Sequence, residues 1–379
     1  MKIYKQAILP LGFLANGVSA GIKKSQKLDL ALFYSVKPAK AGAQFTLNKI
    51  QAAPLQINKE HLKKSKDFQA IVVNSGNANC FTGPYGLRDA KKMTQYAAFT
   101  LDVAQEKVLV ASTGIIGKRL PIDRIKTAIP ELIKGLSAKN IDKAKFAILT
   151  TDKFAKEITI KLNIAGTPIT ICGVAKGSGM IAPNMATMLG FILTDANITQ
   201  GALNKALKIA VERSFNCISV DNCMSPNDTV IILANGRSQN RLIDNYRNFA
   251  LFSRALNLVC LELAKMIVRD AEGATKFIRI KVDKAKSFSQ ARQIAFNIAN
   301  SNLFKTAIYA ESPNFFGRVV AAVGASGIKI KEKDLKIRAS SLKKKDINIE
   351  VLINAGQASA QVYTCDLTHE YIKINTGYN

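Results

Sequence analysis

The sequence is poor in the residues from which metal centres and disulfide frameworks are built. It has two histidines, His61 and His369, far apart, and six cysteines with no CxxC pair. That spacing supports neither a structural zinc nor a disulfide lattice. Reduced thiols packed in or near the interior are the expected state of Cys80, Cys172, Cys217, Cys223, Cys260 and Cys365. No stretch approaches the roughly 18 consecutive apolar residues of a membrane helix; even the run Phe191 to Ala196 is soon broken by polar residues. The opening segment, MKIYKQAILPLGFLANGVSAG, lacks a long apolar region followed by a small-residue cleavage site. Secretion is therefore not expected, and the cytoplasm is the expected location. Internal repeats and low-complexity linkers are also missing.

Acidic residues are scarce as well. Asp and Glu number 27 against 54 Lys and Arg, a formal net charge of +27. Such an excess raises nucleic-acid binding as a rival function. However, the lysines are spread over nearly every segment, among them Lys2, Lys5, Lys23, Lys24, Lys63, Lys64, Lys91, Lys92 and Lys343 to Lys345. No aromatic interleaving and no helix-turn-helix, zinc-finger or RRM signature accompanies them. A solvated lysine-rich surface that attracts anionic small molecules is the expected consequence, with neither a nucleic-acid nor a membrane partner.

What is present is a chain of 379 residues with 48% hydrophobic content, enough for two lobes with ordinary cores. Short β-type runs alternate with helical stretches. QAIVVNSGNANC (69–80) and KVLVASTGIIG (107–117) each read as a buried strand entering a glycine loop. Residues 87–100 show an amphipathic helical pattern, and Pro121 with Asp123 opens another helix. KFAILTTD (145–152) reads as a strand, residues 157–174 as a hairpin turning at Gly166 to Pro168, and residues 187–194 as an apolar strand. Helices are expected over 199–213 and 246–268, with TVIILANG (229–236) as a strand. Towards the end, FIRIKVDKA and TAIYAESP read as strands, FSQARQIAFNIANS and RVVAAVGASG as helices, and the last three segments, ending in YIKIN, as antiparallel strands. The mixture points to antiparallel sheets covered by helices.

The chemically informative stretch is KGSGMIAPNMATMLGFILTD, Lys176 to Asp195. Its glycines are compatible with a plain tight turn or with a reactive site; a phosphate loop would continue into GK[ST] and a helix, and here a strand follows. The threonine suggests the reactive alternative. A threonine hydroxyl is a weak nucleophile, but an N-terminal threonine carries its own base, an α-amine with a pKa of roughly 7.7 to 8.0. To expose it, the Thr187 hydroxyl would attack the Ala186 carbonyl in an N-to-O acyl shift, and water would hydrolyse the ester. Gly177, Gly179 and Pro183 suit the bent backbone such an attack needs.

KGSGMIAPNMATM (176–188) resembles the signature of the ornithine acetyltransferase (glutamate N-acetyltransferase) family, and further blocks resemble it in order along nearly the whole chain. They include GFLANGVSAGIKKS (12–25), AGAQFTLNKIQAAP (41–54), NSGNANCFTG (74–83), STGIIGKRLP (112–121), TTD (150–152), NDT (227–229), DAEGATK (270–276), KTAIYAESPN (305–314) and YIKIN (371–375). The resemblance implies an α+β fold of mixed α/β character, with antiparallel β-sheets sandwiched by helices, similar to N-terminal-nucleophile enzymes and built as two lobes. It implies self-cleavage between Ala186 and Thr187 into an α chain (1–186) and a β chain (187–379) that stay associated, as a heterotetramer. Catalysis would use Thr187 as nucleophile and Thr113 with the Gly114 N–H as oxyanion donors, each such donor being worth about 3–4 kcal/mol. Glu272 would move protons, and Thr150, Lys176, Thr187, Glu272 and Asn375 would hold substrate. The implied reaction is ping-pong: N-acetylornithine acetylates Thr187, ornithine leaves, and glutamate takes the acetyl group to give N-acetylglutamate in arginine biosynthesis. No metal and no bound cofactor are implied, and acetyl-CoA stays open as a second donor. An amidohydrolase or aminopeptidase using the same nucleophile is the alternative, with water in place of the acceptor amine.

Three departures from the family pattern bear on substrate range. A Ser or Thr is expected about five residues after Asn375, beyond Asn379 where the sequence stops, so that contact is absent or not included. NFFGR (314–318) replaces a shorter motif containing tryptophan, and VDNCMSPNDT (220–229) places Cys223, Met224 and Pro226 where small polar residues are expected.

Overall fold

The computed structural model describes residues 1–182, 188–244 and 246–377. Ala186 and Thr187, the expected cleavage junction, lie outside the described residues, as does Pro183. Two compact units are present, one of Met1–Gly177, Asn184–Ser214 and Met224–Leu263, the other of Ser178–Pro183, Phe215–Cys223 and Ala264–Asn379. Each draws on residues before and after position 186.

The first unit is built on strands β1 (Lys2–Tyr4), β2 (Phe13–Val18), β3 (Leu30–Phe45), β4 (Phe68–Asn77), β5 (Val108–Ile115), β6 (Lys156–Ile164), β7 (Thr167–Lys176), β8 (Leu189–Thr194) and β9 (Thr229–Ala234). They run in the order β1-β6-β7-β8-β9-β3-β4-β5, with β2 beside β3. Pairing is antiparallel except for β4 with β5 and β8 with β9. The long strand β3 organises this sheet. Its register with β4 shifts between Tyr34 and Ala39, so its first part pairs with β2 and β4 and its last part with β9. The irregularity folds the sheet onto itself: Phe33, Ile71, Val73 and Leu109 share one core with Leu189, Phe191, Leu193, Ile231 and Leu233. The rings of Phe33 and Phe191 meet at 5.1 Å. Each fully buried side chain of this size contributes about 1.5–3 kcal/mol.

Alternate residues point the other way, as the two-residue period of a strand requires. Ala70, Val72, Val108 and Val110 pack beneath helices α1 (Ala53–Lys64), α2 (Gly83–Leu101) and α3 (Ile122–Lys134). Helix α3 buries Ile122, Ile125, Ile129 and Leu132 on one face, the spacing of an amphipathic helix. After α4 (Ile141–Ala147) come α5 (Gln200–Glu212), capped by the Thr199 hydroxyl, and α6 (Tyr246–Arg269). A Cβ on Gly173 would lie 2.6 Å from Val259 of α6, so this glycine lets the helix approach β7.

In the second unit, β10 (Phe277–Ala285), β11 (Lys336–Ala339), β12 (Asp346–Leu352) and β13 (Ala358–Cys365) form a sheet in the order β11-β12-β10-β13. Helices α7 (Phe288–Ala299), α8 (Asn302–Tyr309), α9 (Phe315–Gly324) and α10 (His369–Thr376) accompany it. Ile278, Ile280 and Val282 face Ile294, Ile298, Phe304 and Val319 in one core.

Antiparallel sheets covered by helices are thus the architecture, with local corrections. Residues 145–147 finish helix α4, because Ile141, Ala144, Ala147 and Ile148 bury one helical face. TAIYAESP contributes to α8, where the Ser301 hydroxyl caps the helix and Phe304, Ala307 and Ile308 are buried. YIKIN lies in α10, started by the Thr368 cap. The three closing strands alternate in direction, but β10 stands between β12 and β13 and pairs with β12 in parallel, joined by the long helical crossover that a parallel pair requires.

Candidate active site

In the first unit the parallel strands β4 and β5 end side by side, with Ser75 opposite Thr113 and Gly76 opposite Gly114. Gly114 has φ +133°, and a Cβ there would fall 2.3 Å from the Gly76 carbonyl carbon. Only glycine fits such a backbone. The buried Asn227 side chain donates to the carbonyls of Ala78 (2.6 Å) and Ser112 (2.8 Å), which ties the two glycine loops together.

Lys176 closes β7 with 2% of its surface exposed. Its ammonium donates to Thr150 Oγ1 at 2.8 Å and Thr113 Oγ1 at 3.3 Å, and stands 3.9 Å from Asp152 Oδ2. Asp152 is the hub of the cluster. Its carboxylate accepts the N–H groups of Thr150 (3.0 Å) and Gly177 (2.6 Å) and the ammonium of Lys156. Burial on its own would raise the Asp152 pKa, but Lys176 and Lys156 outweigh it and hold the carboxyl well below the usual range. Lys23 joins the same electrostatic neighbourhood. Burial pushes its ammonium down to about 8, against the attraction of Asp29 and with repulsion from Lys176 adding to the shift.

The second unit brings together two more of the sequence-predicted residues, Glu272 and Asn375. Glu272 is half-buried, with its N–H on the Ser178 carbonyl (2.9 Å) and its Oε2 accepting Asn375 Nδ2 at 3.0 Å. A Cβ on Gly179 would sit 2.3 Å from that Oε2, so this glycine of the signature makes room for the carboxylate. Asp221 holds two successive amides of the same loop, Met180 at 2.6 Å and Ile181 at 2.8 Å, and accepts the Tyr371 hydroxyl at 3.2 Å. Burial, then the Asp221 charge, raises the Tyr371 pKa.

Of the sequence-predicted site residues, Thr113, Gly114, Thr150 and Lys176 are therefore brought together in one unit, and Glu272 and Asn375 in the other. Asp152, Asp221 and Lys23 were not assigned roles from sequence. Asp152 and Lys23 do stand inside family-like blocks, TTD and GIKKS, which is the one signal that marks them. Among the described residues no three His, Cys, Asp or Glu side chains converge on a metal-sized site, and no helix is long and apolar enough to cross a membrane.

Comparison with known proteins bears on this arrangement. The pattern of the ArgJ family matches residues 14–379. The arginine biosynthesis bifunctional protein ArgJ of Caldanaerobacter subterraneus subsp. tengcongensis is 46% identical over 395 residues, covering 98% of this chain and 97% of its own. Its namesake from Oceanobacillus iheyensis is 43% identical over 392 residues, covering 97% and 95%. The crystal structure of ornithine acetyltransferase complexed with ornithine from Mycobacterium tuberculosis is 35% identical, covers 48% of this chain and 97% of that one, and superposes with a TM-score of 0.45. With a family pattern spanning nearly the whole sequence and full-length relatives above 40% identity, the chain belongs to the ArgJ family.

Proposed function

We propose that the chain is a self-cleaving acetyltransferase of arginine biosynthesis, a glutamate N-acetyltransferase that moves acetyl from N-acetylornithine to glutamate through an acetyl ester on Thr187. The observation that carries the reading is the buried Lys176 ammonium bonded to the hydroxyls of both Thr113 and Thr150, at the strand end that leads into the Ala186/Thr187 junction. A buried ammonium with two hydroxyls suits an α-carboxylate, and a threonine hydroxyl beside the backbone N–H of a glycine suits a tetrahedral oxyanion.

In the maturation step Thr187 Oγ attacks the Ala186 carbonyl. The C–N bond breaks, the hydroxyl proton passes to the Thr187 nitrogen, and water hydrolyses the resulting ester to free an α-amine beside the hydroxyl. In turnover that amine takes the hydroxyl proton while Oγ attacks the acetyl carbonyl. Thr113 and the Gly114 N–H stabilise the oxyanion, and ornithine departs with a proton that Glu272 helps to deliver. Glutamate, as the neutral amine, then attacks the acetyl ester and restores the threonine. Lys176 and Thr150 hold the substrate carboxylate, and Asn375 contacts substrate. These steps draw on side chains, backbone and the new α-amine, with no bound cofactor or metal; acetyl-CoA is a candidate second donor. The α chain (1–186) and β chain (187–379) remain associated as a heterotetramer in the cytoplasm.

Intact-mass analysis of the wild type beside Thr187→Ala, with and without N-acetylornithine, tests the reading. The expected result is two fragments, one ending at Ala186 and one beginning at Thr187, with an added acetyl group on the second. A wild-type chain that stays whole yet transfers acetyl at full rate overturns it.

A further inference from the structure

Asp228 precedes β9 with none of its surface exposed. Its Oδ1 accepts the Met188 N–H at 2.9 Å, and the carbonyl of the same Met188 accepts the Thr229 N–H at 3.2 Å. Met188, 1% exposed, is thereby gripped on both sides. Its nitrogen is bonded to the carbonyl carbon of Thr187, so the amide that Asp228 holds belongs to the Thr187–Met188 peptide. Asp228 is itself anchored, because its carbonyl accepts the Thr46 N–H at 3.1 Å. Among the described residues, no hydrogen-bond partner reaches its second oxygen, Oδ2; the neighbouring Thr46 hydroxyl gives its proton to the Ser225 carbonyl at 2.8 Å.

We propose that Asp228 is a positioning residue for the chemistry of Thr187, holding the Thr187–Met188 peptide in the orientation that self-cleavage and acetyl transfer require. The proposal rests on the reading of Thr187 as the nucleophile. An N-to-O shift succeeds only from a near-attack geometry, and a misplacement of about 1 Å costs on the order of 100-fold in rate. Met188 is held through both its N–H and its carbonyl, directly before β8. Burial raises the Asp228 carboxyl well above its ordinary value, outweighing the Met188 N–H and the Lys176 charge on β7. Burial thus disfavours the charged form, and the role rests on the geometry of the Met188 N–H bond. An orphaned polar oxygen in the interior is destabilising, and retention of one on the residue that holds the Met188 N–H fits a functional role.

A time course of self-cleavage by intact mass, with Thr187→Ala as the uncleaved reference, tests the proposal on Asp228→Asn and Asp228→Ala. Asparagine keeps a neutral oxygen for the Met188 N–H, so it is expected to cleave within several-fold of the wild type from pH 6 to about 9; alanine removes the acceptor and is expected to cleave at least ~100-fold more slowly. Equal cleavage by Asp228→Ala and the wild type overturns the proposal. So does loss of cleavage in a folded Asp228→Asn, which would mark the carboxylate as a base. If Asp228→Ala does not fold, Asp228→Leu, which fills the site without an acceptor, takes its place in the comparison, and the asparagine result stands alone as a test. A wild type as uncleaved as Thr187→Ala would instead defeat the reading of Thr187.

Discussion

Lys176 and Asp152 face each other at 3.9 Å with 3% and 0% of their side chains exposed, and the lysine reaches past the carboxylate to the Thr150 and Thr113 hydroxyls. The charge of the cluster is arranged so that Asp152 is already shared with Lys156 and two backbone amides. The Lys176 ammonium meets both hydroxyls in the same buried cluster.

Lys176→Met keeps the length and apolar stem of the side chain and removes the charge. Loss of a buried, hydrogen-bonded ionic partner costs about 2–5 kcal/mol, so kcat/KM for N-acetylornithine is expected to fall roughly 30-fold to several thousand-fold, mostly through KM. Steady-state kinetics with N-acetylornithine and glutamate as paired substrates measures this. An unchanged KM would remove Lys176 from substrate binding.

The same pair sets an acid limit on stability. Asp152 has a folded pKa below its ordinary 3.8 because Lys176 and Lys156 outweigh burial. A depressed carboxylate contributes stability that is fully present above the unfolded value and is lost as pH falls through the folded one. The Tm of the wild type is therefore expected to drop below about pH 4. Asp152→Asn should be destabilised by about 3–5 kcal/mol at neutral pH, since it strips a shared carboxylate from two buried ammonium groups, and should show less of that acid slope. Thermal melts between pH 2 and 7 decide it; parallel curves for the two proteins would refute the assignment.

Much of this was legible in the sequence, for physical reasons that also explain the misses. Strands β4, β5, β8 and β9 are continuous runs of Val, Ile and Leu because both their faces are buried, and such runs announce themselves. The segments around Ala147, Ile308 and Ile374 are short and rich in β-branched or aromatic residues, where period alone does not separate strand from helix; the caps at Ser301 and Thr368 decide for helix. The parallel pairing of β10 with β12 has no local signature, since a partner strand is chosen by the tertiary fold. Thr113, Thr150 and Lys176 were singled out by the family-like blocks in which they stand, and their polar groups meet in one buried cluster. The buried hydrogen bonds of Asp152 and Asp228 were not legible, because a single Asp in TTD or NDT looks like any turn residue until its contacts with Gly177 and Met188 are seen. Nor does any composition shift mark Phe215–Cys223 as part of the second unit within a stretch otherwise given to the first.

Gly179 offers a test of Glu272 that leaves the carboxylate in the protein. A methyl group at this position would lie 2.3 Å from Oε2 and 2.5 Å from Cδ of Glu272. The clash is with the mobile end of a side chain, so Gly179→Ala is expected to fold, with the carboxylate pushed from its place and its 3.0 Å bond to Asn375 broken. General acid–base catalysis is worth about 100- to 10,000-fold, and a displaced group keeps part of that, so kcat for acetyl transfer is expected to fall about 10- to 100-fold. Glu272→Gln should fall further. Because both changes act through one carboxylate, their effects should not add, and Gly179→Ala placed in the Glu272→Gln background should cost little more. Kinetics on the two single variants and the double variant measures the coupling. Fully additive losses would mean that Gly179 serves the loop and not the carboxylate.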